Sequence, residues 1–367
     1  MWRYSVNLVV LACCFSILES QSTYINRPDL MAAADSCLRH TYNFSFVKAR
    51  QYQQILNIKT PHHPAPPFLD ALILYWEHFP LTPDVPESDL FTALMDTSIA
   101  RAKGMMERDA TRLEGVFFDL FSRAFKAMYW ADNGKSGKVV PDLRTMYNHT
   151  REGFALMDEF PEFYFSTGLY NYYIEAYPVT HPIYKPLVSF MQDGDRELGL
   201  AQLNHAIQNT VYLRVESMLF MSLIQLHYEN DLNTAAIYAE RLHMEYPANI
   251  YYQGLLVTIL LHQHRYRRVR EILERTENQE GIYNEMISQL AGGFMAEKET
   301  GDALTAGKMY QHVIELAENV GPFANSYLAM GYMGLSRLHE KKGMPEEARK
   351  YARKASNYTK YSFILEE

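Results

Sequence analysis

Cysteine is nearly absent: three among 367 residues, two of which, Cys13 and Cys14, lie in the apolar N-terminal stretch. Only Cys37 remains beyond that stretch, so the body of the chain has no internal disulfide and must rely on packed core. Also missing are His-Glu-x-x-His and Cys-x-x-Cys, the spacings that present several ligands to one metal ion. No Gly-x-Ser-x-Gly, phosphate-cradling glycine loop or dinucleotide fingerprint occurs. Positive charge is in deficit, 35 Lys and Arg against 43 Asp and Glu, for a net charge of −8. Phosphate binding depends on clustered Lys and Arg, so nucleic acid is disfavoured as a partner. The one dense basic run, Arg265 to Arg270, reads as the solvated face of a helix. Sustained alternation of apolar and polar residues, the mark of a half-buried strand, is found nowhere. The expectation is a non-enzyme with no cofactor and no metal.

The few chemical groups that invite a sharper reading have bland explanations. His62 and His63 are neighbours in a proline-rich loop, and His262 and His264 sit two apart, on different faces of a helix. Structural or surface roles are expected for them. Asp193-Gly194-Asp195-x-Glu197 superficially resembles a calcium loop but lacks its third acid and its closing glutamate. Asp195 is instead expected to cap a helix beginning at Arg196. Cys37 and His40 are three apart, close enough to touch on a helix, yet a buried, inert thiol is the expectation.

The first 20 residues read as a secretory signal peptide. Arg3 supplies the positive start, Val6 to Leu18 form an apolar stretch broken only by Asn7 and Ser16, and Ser20 precedes a cut at Gln21. The run is too short for a membrane span of roughly 20 apolar residues. An alternative is lipidation at Cys13, which follows Val10-Leu11-Ala12 in the manner of a bacterial lipobox. Either route implies export to the periplasm or cell envelope.

What the chain does contain is helical period. Leu232, Ala235 and Ala239 are followed 34 positions later by Tyr266, Val269 and Leu273, with turn residues before each set. Ala306 lies 37 positions after Val269, and Ala348 lies 42 after Ala306. A repeat of this length is a helix–turn–helix unit whose apolar face is buried only by its neighbours. Upstream, helices are expected over 29–58 in two pieces, then about 89–108 and 111–131, with proline-rich connections at Pro61–Pro67 and Pro80–Pro86. The organisation expected is divergent helical repeats over 21–160, continuous with more regular repeats over 161–367.

Leu232, Ala235, Ala239 and Pro247, then Gly301, Ala306 and Tyr310, then Gly343, Ala348 and Ala355 resemble tetratricopeptide repeats, a turn-proximal apolar residue and small residues at the crossing. Leu223 departs from the pattern, standing where the family favours a small residue. The resemblance covers residues 216–358 best. The run His62 to Leu81 and the later Gly168-Leu169-Tyr170-x-Tyr172-Tyr173 with Gly194 to Leu200 resemble exported bacterial proteins of this kind. They are similar, more loosely, to a tetratricopeptide family associated with the mitochondrial outer membrane. The fold implied is all-α, a solenoid wound as a right-handed superhelix of antiparallel pairs, with about 12 to 14 helices.

The function the resemblance implies is a non-catalytic scaffold binding a protein or peptide. First helices of successive repeats line the concave groove in that family, which points to His227, Tyr251, Thr258, Arg337 and Glu340 as ligand-facing. The alternatives are a membrane-adjacent adaptor docking through the tyrosine-rich segment 163–190, and an enzyme whose site leaves no linear motif. Tyr164, Tyr170, Tyr172, Tyr173, Tyr177 and Tyr184 crowd that segment. Most are expected to be buried, with Tyr177 and Tyr184 exposed.

Overall fold

Asn230, His264, Gly301 and Gly343 hold left-handed backbone, with φ between +53° and +73°. Each ends one helix and turns the chain into the next, in a conformation that glycine and asparagine enter most easily. They recur 34, 37 and 42 positions apart, the spacings already seen in the apolar pattern. After His264 the Arg265 N–H reaches back to the Leu260 carbonyl at 2.9 Å, and after Gly343 the Met344 N–H reaches that of His339 at 2.9 Å. Such bonds satisfy carbonyls that a helix end would leave without partners.

The computed structural model describes residues 23–182, 185–189, 191–275 and 280–367. The expected signal peptide, Cys13 and Tyr184 lie outside them. The described residues are all-helical, without strands, and the helices pack in sequence-adjacent pairs. The N-terminal part comprises α1 (Pro28–Tyr42), α2 (Phe46–Lys59), α3 (Ala65–Glu77), α4 (Pro86–Met106), α5 (Asp109–Asp132) and α6 (Val140–Leu156). There follow α7 (Phe163–Thr180), a single turn α8 (Lys185–Val188), α9 (Arg196–Asn209), α10 (Arg214–His227) and α11 (Leu232–Glu245). The rest is α12 (Ile250–His262), α13 (Tyr266–Glu274), α14 (Ile282–Met295), α15 (Ala303–Val320), α16 (Asn325–Lys341), α17 (Pro345–Ala355) and a last turn α18 (Ser362–Leu365). The chain therefore makes more helices than the expected number, and α8 and α18 stand outside the pairing.

Local sequence sets the helix starts. The side chains of Asp195, Asp231, Asn249 and Asp302 accept N–H bonds from the first turns of α9, α11, α12 and α15. Proline opens α1, α4 and α17, where its missing N–H costs nothing. Small residues let paired helices come close. The Ser222 hydroxyl of α10 donates to the Ala235 carbonyl of α11 at 3.0 Å, and Ser336 of α16 donates to Ala348 of α17 at 2.8 Å. At the α10–α11 contact the small residue is thus Ser222, one position before Leu223. Between α7 and α9 a side-chain carbon added at Gly199 would lie 2.7 Å from the Tyr172 nitrogen and 2.8 Å from the Gly168 oxygen, so only glycine fits.

Buried side chains form one cluster from Tyr24 to Ile364. The N-terminal helices are tied into the later ones by long-range bonds. Asn249 donates to the Tyr42 carbonyl at 2.9 Å, the hydroxyls of Tyr24 and Tyr212 meet at 2.7 Å, and the Tyr42 hydroxyl donates to Glu216. In the tyrosine-rich segment Tyr172 is fully buried, and Tyr173 packs edge-on against Tyr228 at 5.4 Å. Tyr177 is half-buried rather than exposed as expected, because His181, one turn on, stacks over its ring at 4.3 Å. Among the described residues no helix is long and apolar enough to cross a membrane.

Candidate functional site

Alternate helices bring one set of inward faces together. The helices α10, α12, α14 and α16 are the first members of successive pairs, and α14 packs against both α12 and α16. Across from them stand α3 and α5. The space between is a cavity of about 410 Å³, within the size range of small-ligand sites. Tyr75 and Trp76 of α3, and Phe79 just beyond, form one wall; Met128 and Asp132 come from α5. Leu219, Leu223 and His227 of α10 face Tyr251, Leu255 and Thr258 of α12, Tyr283 of α14, and Tyr327 and Met330 of α16. Tyr361 and Phe363, at the last turn of the chain, complete the lining.

The rings are in mutual contact. Phe79 lies 5.4 Å from Tyr251 and 5.2 Å from both Tyr283 and Phe323, all edge-on. His227 stacks flat on Tyr361 at 3.9 Å. The Tyr283 and Tyr327 hydroxyls meet at 2.8 Å. Burial holds the His227 imidazole neutral, down to about 3. Burial also raises the Asp132 carboxyl to about 7, and its charge in turn opposes ionisation of Tyr75 and Tyr251. Among the described residues no Lys or Arg lines the cavity. The arrangement offers apolar ring surface, a neutral imidazole and a single acid.

That acid carries a pH signature. The ordinary value is 3.8, so between about pH 4 and pH 7 the folded chain keeps a proton that the unfolded chain has lost. Stability therefore falls as pH rises through this window, and above pH 7 the whole cost of the buried charge is present. The Asp132→Asn variant is expected to be more stable than the parent by about 1–2 kcal/mol at pH 8, after discounting a larger shift for the carboxyl's access to cavity water. At pH 4 the two should unfold at the same urea concentration. An Asn variant that is no more stable at pH 8 would show that the carboxyl is well solvated.

Of the five residues expected to face a ligand, His227, Tyr251 and Thr258 meet at this cavity. Arg337 does not. Its guanidinium is buried against Glu297 at 2.8 Å and approaches Glu367 at 3.4 Å, so it closes an ion network beside the cavity. Glu340 is exposed on the outer side of α16 and also stands apart from the lining. On the helix that carries Tyr327 and Met330, Arg337 keeps nearly the face of Met330 but stands two turns further along, and Glu340 lies further on at another angle. Sequence reasoning missed Asp132, Trp76, Phe79 and Phe323. For Asp132 a signal existed: Phe125, Met128 and Asp132 continue one apolar stripe at helical spacing, which places an acid on a half-buried face.

The other chemical groups settle into structural roles. Cys37 is fully buried, its thiol pushed up to about 12 by that burial, and the His40 ring stacks at 5.7 Å on Tyr52 instead. His63 stacks on Tyr24 at 4.3 Å and donates to Glu114 at 3.0 Å, since its other ring nitrogen accepts the Ala65 N–H. His262 is buried and bonded to the Thr258 carbonyl at 2.8 Å. Asp195 accepts from the Leu198 N–H at 2.9 Å as a helix cap. Among the described residues no cluster of three or more His, Cys, Asp or Glu is placed to hold a metal ion. No protein-family model matches the chain, and no curated protein is similar to it.

Proposed function

We propose that the chain is a non-catalytic binding scaffold of the cell envelope, built from tetratricopeptide-like repeats wound as a right-handed solenoid. Its partner in this reading is a protein or peptide held at the shared inner face of α10, α12, α14 and α16. The observation that carries the reading is the aromatic cavity at that face, where His227, Tyr251 and Thr258 converge from two successive first helices. Support for the repeat comes from the left-handed turns at Asn230, His264, Gly301 and Gly343 and from the repeated serine-to-carbonyl bond between pair members. Docking of the tyrosine-rich segment on a membrane has less support, because the rings of Tyr164, Tyr172, Tyr173 and Tyr177 pack against neighbours within the fold.

The test is crosslinking capture from envelope fractions, with the parent compared with a His227→Ala, Tyr251→Ala, Thr258→Ala variant. A reproducible partner that the triple variant loses, while a Glu340→Ala variant keeps it, is the expected result. Capture unaffected by the triple change would remove the cavity from the reading.

A further inference from the structure

Among the described residues the buried acids have internal partners, and Asp132, half-buried at the cavity, differs from them. Glu114 meets His63, Asp119 meets Arg123 and His149, Glu216 accepts from Tyr42, Glu297 pairs with Arg337, and Glu162 takes three backbone N–H groups. Asp132 has no hydrogen-bond or ion-pair partner among the described residues, although it stands among aromatic and aliphatic walls. A carboxylate in such a place is costly unless a counter-charge joins it. The walls supply none, since among the described residues no Lys or Arg lines the cavity and His227 is held neutral. Aromatic rings nevertheless favour positive charge, through the negative potential of their faces.

We propose that the cavity binds an organic ammonium group carried on an apolar body, with Asp132 as its counter-ion and the Trp76, Phe79 and Tyr251 walls around the rest of the ligand. This rests on reading the cavity as the binding site and names the chemistry it selects. The ammonium group has two sources, a free amine or the lysine side chain of a bound peptide. A carboxylate or phosphate ligand would meet Asp132 as a like charge and is rejected. A neutral ligand of the same shape leaves the carboxyl without its partner and is held more weakly.

Calorimetric titration of the full chain with phenethylamine, phenethyl alcohol and phenylacetate separates these cases, because the three share a body and differ in charge. The amine is expected to bind at least tenfold more tightly than the alcohol, and phenylacetate to show no binding. Asp132→Asn should lower amine affinity at least tenfold and leave that of the alcohol unchanged, whereas Glu340→Gln, an acid outside the cavity, should alter neither. Circular dichroism of the Asn variant confirms that it is folded. Blocked peptides Phe-Lys-Phe and Phe-norleucine-Phe identify the source: a preference for the lysine peptide assigns the ammonium to a peptide, and binding of phenethylamine alone assigns it to a free amine. Equal affinity for amine and alcohol, or an Asp132→Asn variant that binds the amine as the parent does, overturns the inference. A protein captured through His227, Tyr251 and Thr258 without any amine binding would remove this inference alone and leave the scaffold reading in place.

Discussion

Glu162→Ala is expected to destabilise the chain by about 3–6 kcal/mol. The carboxylate is 2% exposed and accepts the backbone N–H groups of Val211 at 2.6 Å, Tyr212 at 2.9 Å and Leu213 at 3.0 Å. These three residues lead directly into α10, so an acid some fifty positions upstream anchors the segment that enters that helix. An unsatisfied buried N–H costs about 1–3 kcal/mol, and removal of the carboxylate orphans three at once. The total is a large part of the 5–15 kcal/mol that holds a typical domain together. Glu162→Gln keeps an accepting oxygen for the Val211 and Tyr212 N–H groups but turns an N–H₂ toward that of Leu213, and should recover only part of the loss. Urea unfolding of the three proteins at pH 7 measures this. A Glu162→Ala variant within about 1 kcal/mol of the parent would mean that water replaces the carboxylate at the start of α10.

Arg337→Ala comes second, at about 3–5 kcal/mol, and its size depends on pH. Glu297 sits on a π-helical turn that continues α14, and its side chain is fully buried. Burial raises its carboxyl, but Arg337, Tyr310 and Lys341 together outweigh burial and bring it down to about 2. In the parent, the folded carboxyl is therefore more acidic than the unfolded one at 4.5. The stability this contributes is complete above that value and is lost as pH falls toward 2. Without Arg337 the sign reverses. Lys341 is 58% exposed and compensates weakly, so burial dominates and the carboxyl gives up its proton only at higher pH. The penalty of Arg337→Ala should then be greatest at pH 7 and shrink by about half at pH 4, where protonation relieves the stranded charge. Unfolding free energies of parent and variant at both pH values decide the matter; a penalty independent of pH would show that the loss is one of packing alone.

The two expected effects have something in common that bears on what could be read from the sequence. Glu162 acts on residues 49 to 51 positions away, and Arg337 acts on a carboxylate 40 positions away. Neither pairing leaves a local trace. The tetratricopeptide resemblance implies a groove-facing Arg337, since it places first helices along a groove. The helix does line the cavity, but through Tyr327 and Met330, while Arg337 turns to Glu297. Arg337 stands two turns beyond Met330 on nearly the same face, so the helix passes from the cavity to the buried Glu297 along its length. His227, Tyr251 and Thr258 line the cavity together. Asp132 belongs to α5, outside the segment 216–358 that the resemblance covers best.

What the sequence determined by itself was everything governed by the nearest few residues. The apolar period fixed helix over strand, Asp231, Asn249 and Asp302 fixed where helices begin, and Asn230, His264, Gly301 and Gly343 fixed where the chain turns. These are short-range effects of backbone sterics and capping, so a linear reading captures them. Tertiary structure alone decided which polar groups are spent inside the fold and which face the cavity. It paired Arg337 with Glu297, gave Glu162 to the start of α10, and left Asp132 alone among aromatic walls. The physical reason is that a charge takes its value from what surrounds it in space: the same carboxyl is held down to about 2 beside a guanidinium and raised to about 7 among rings.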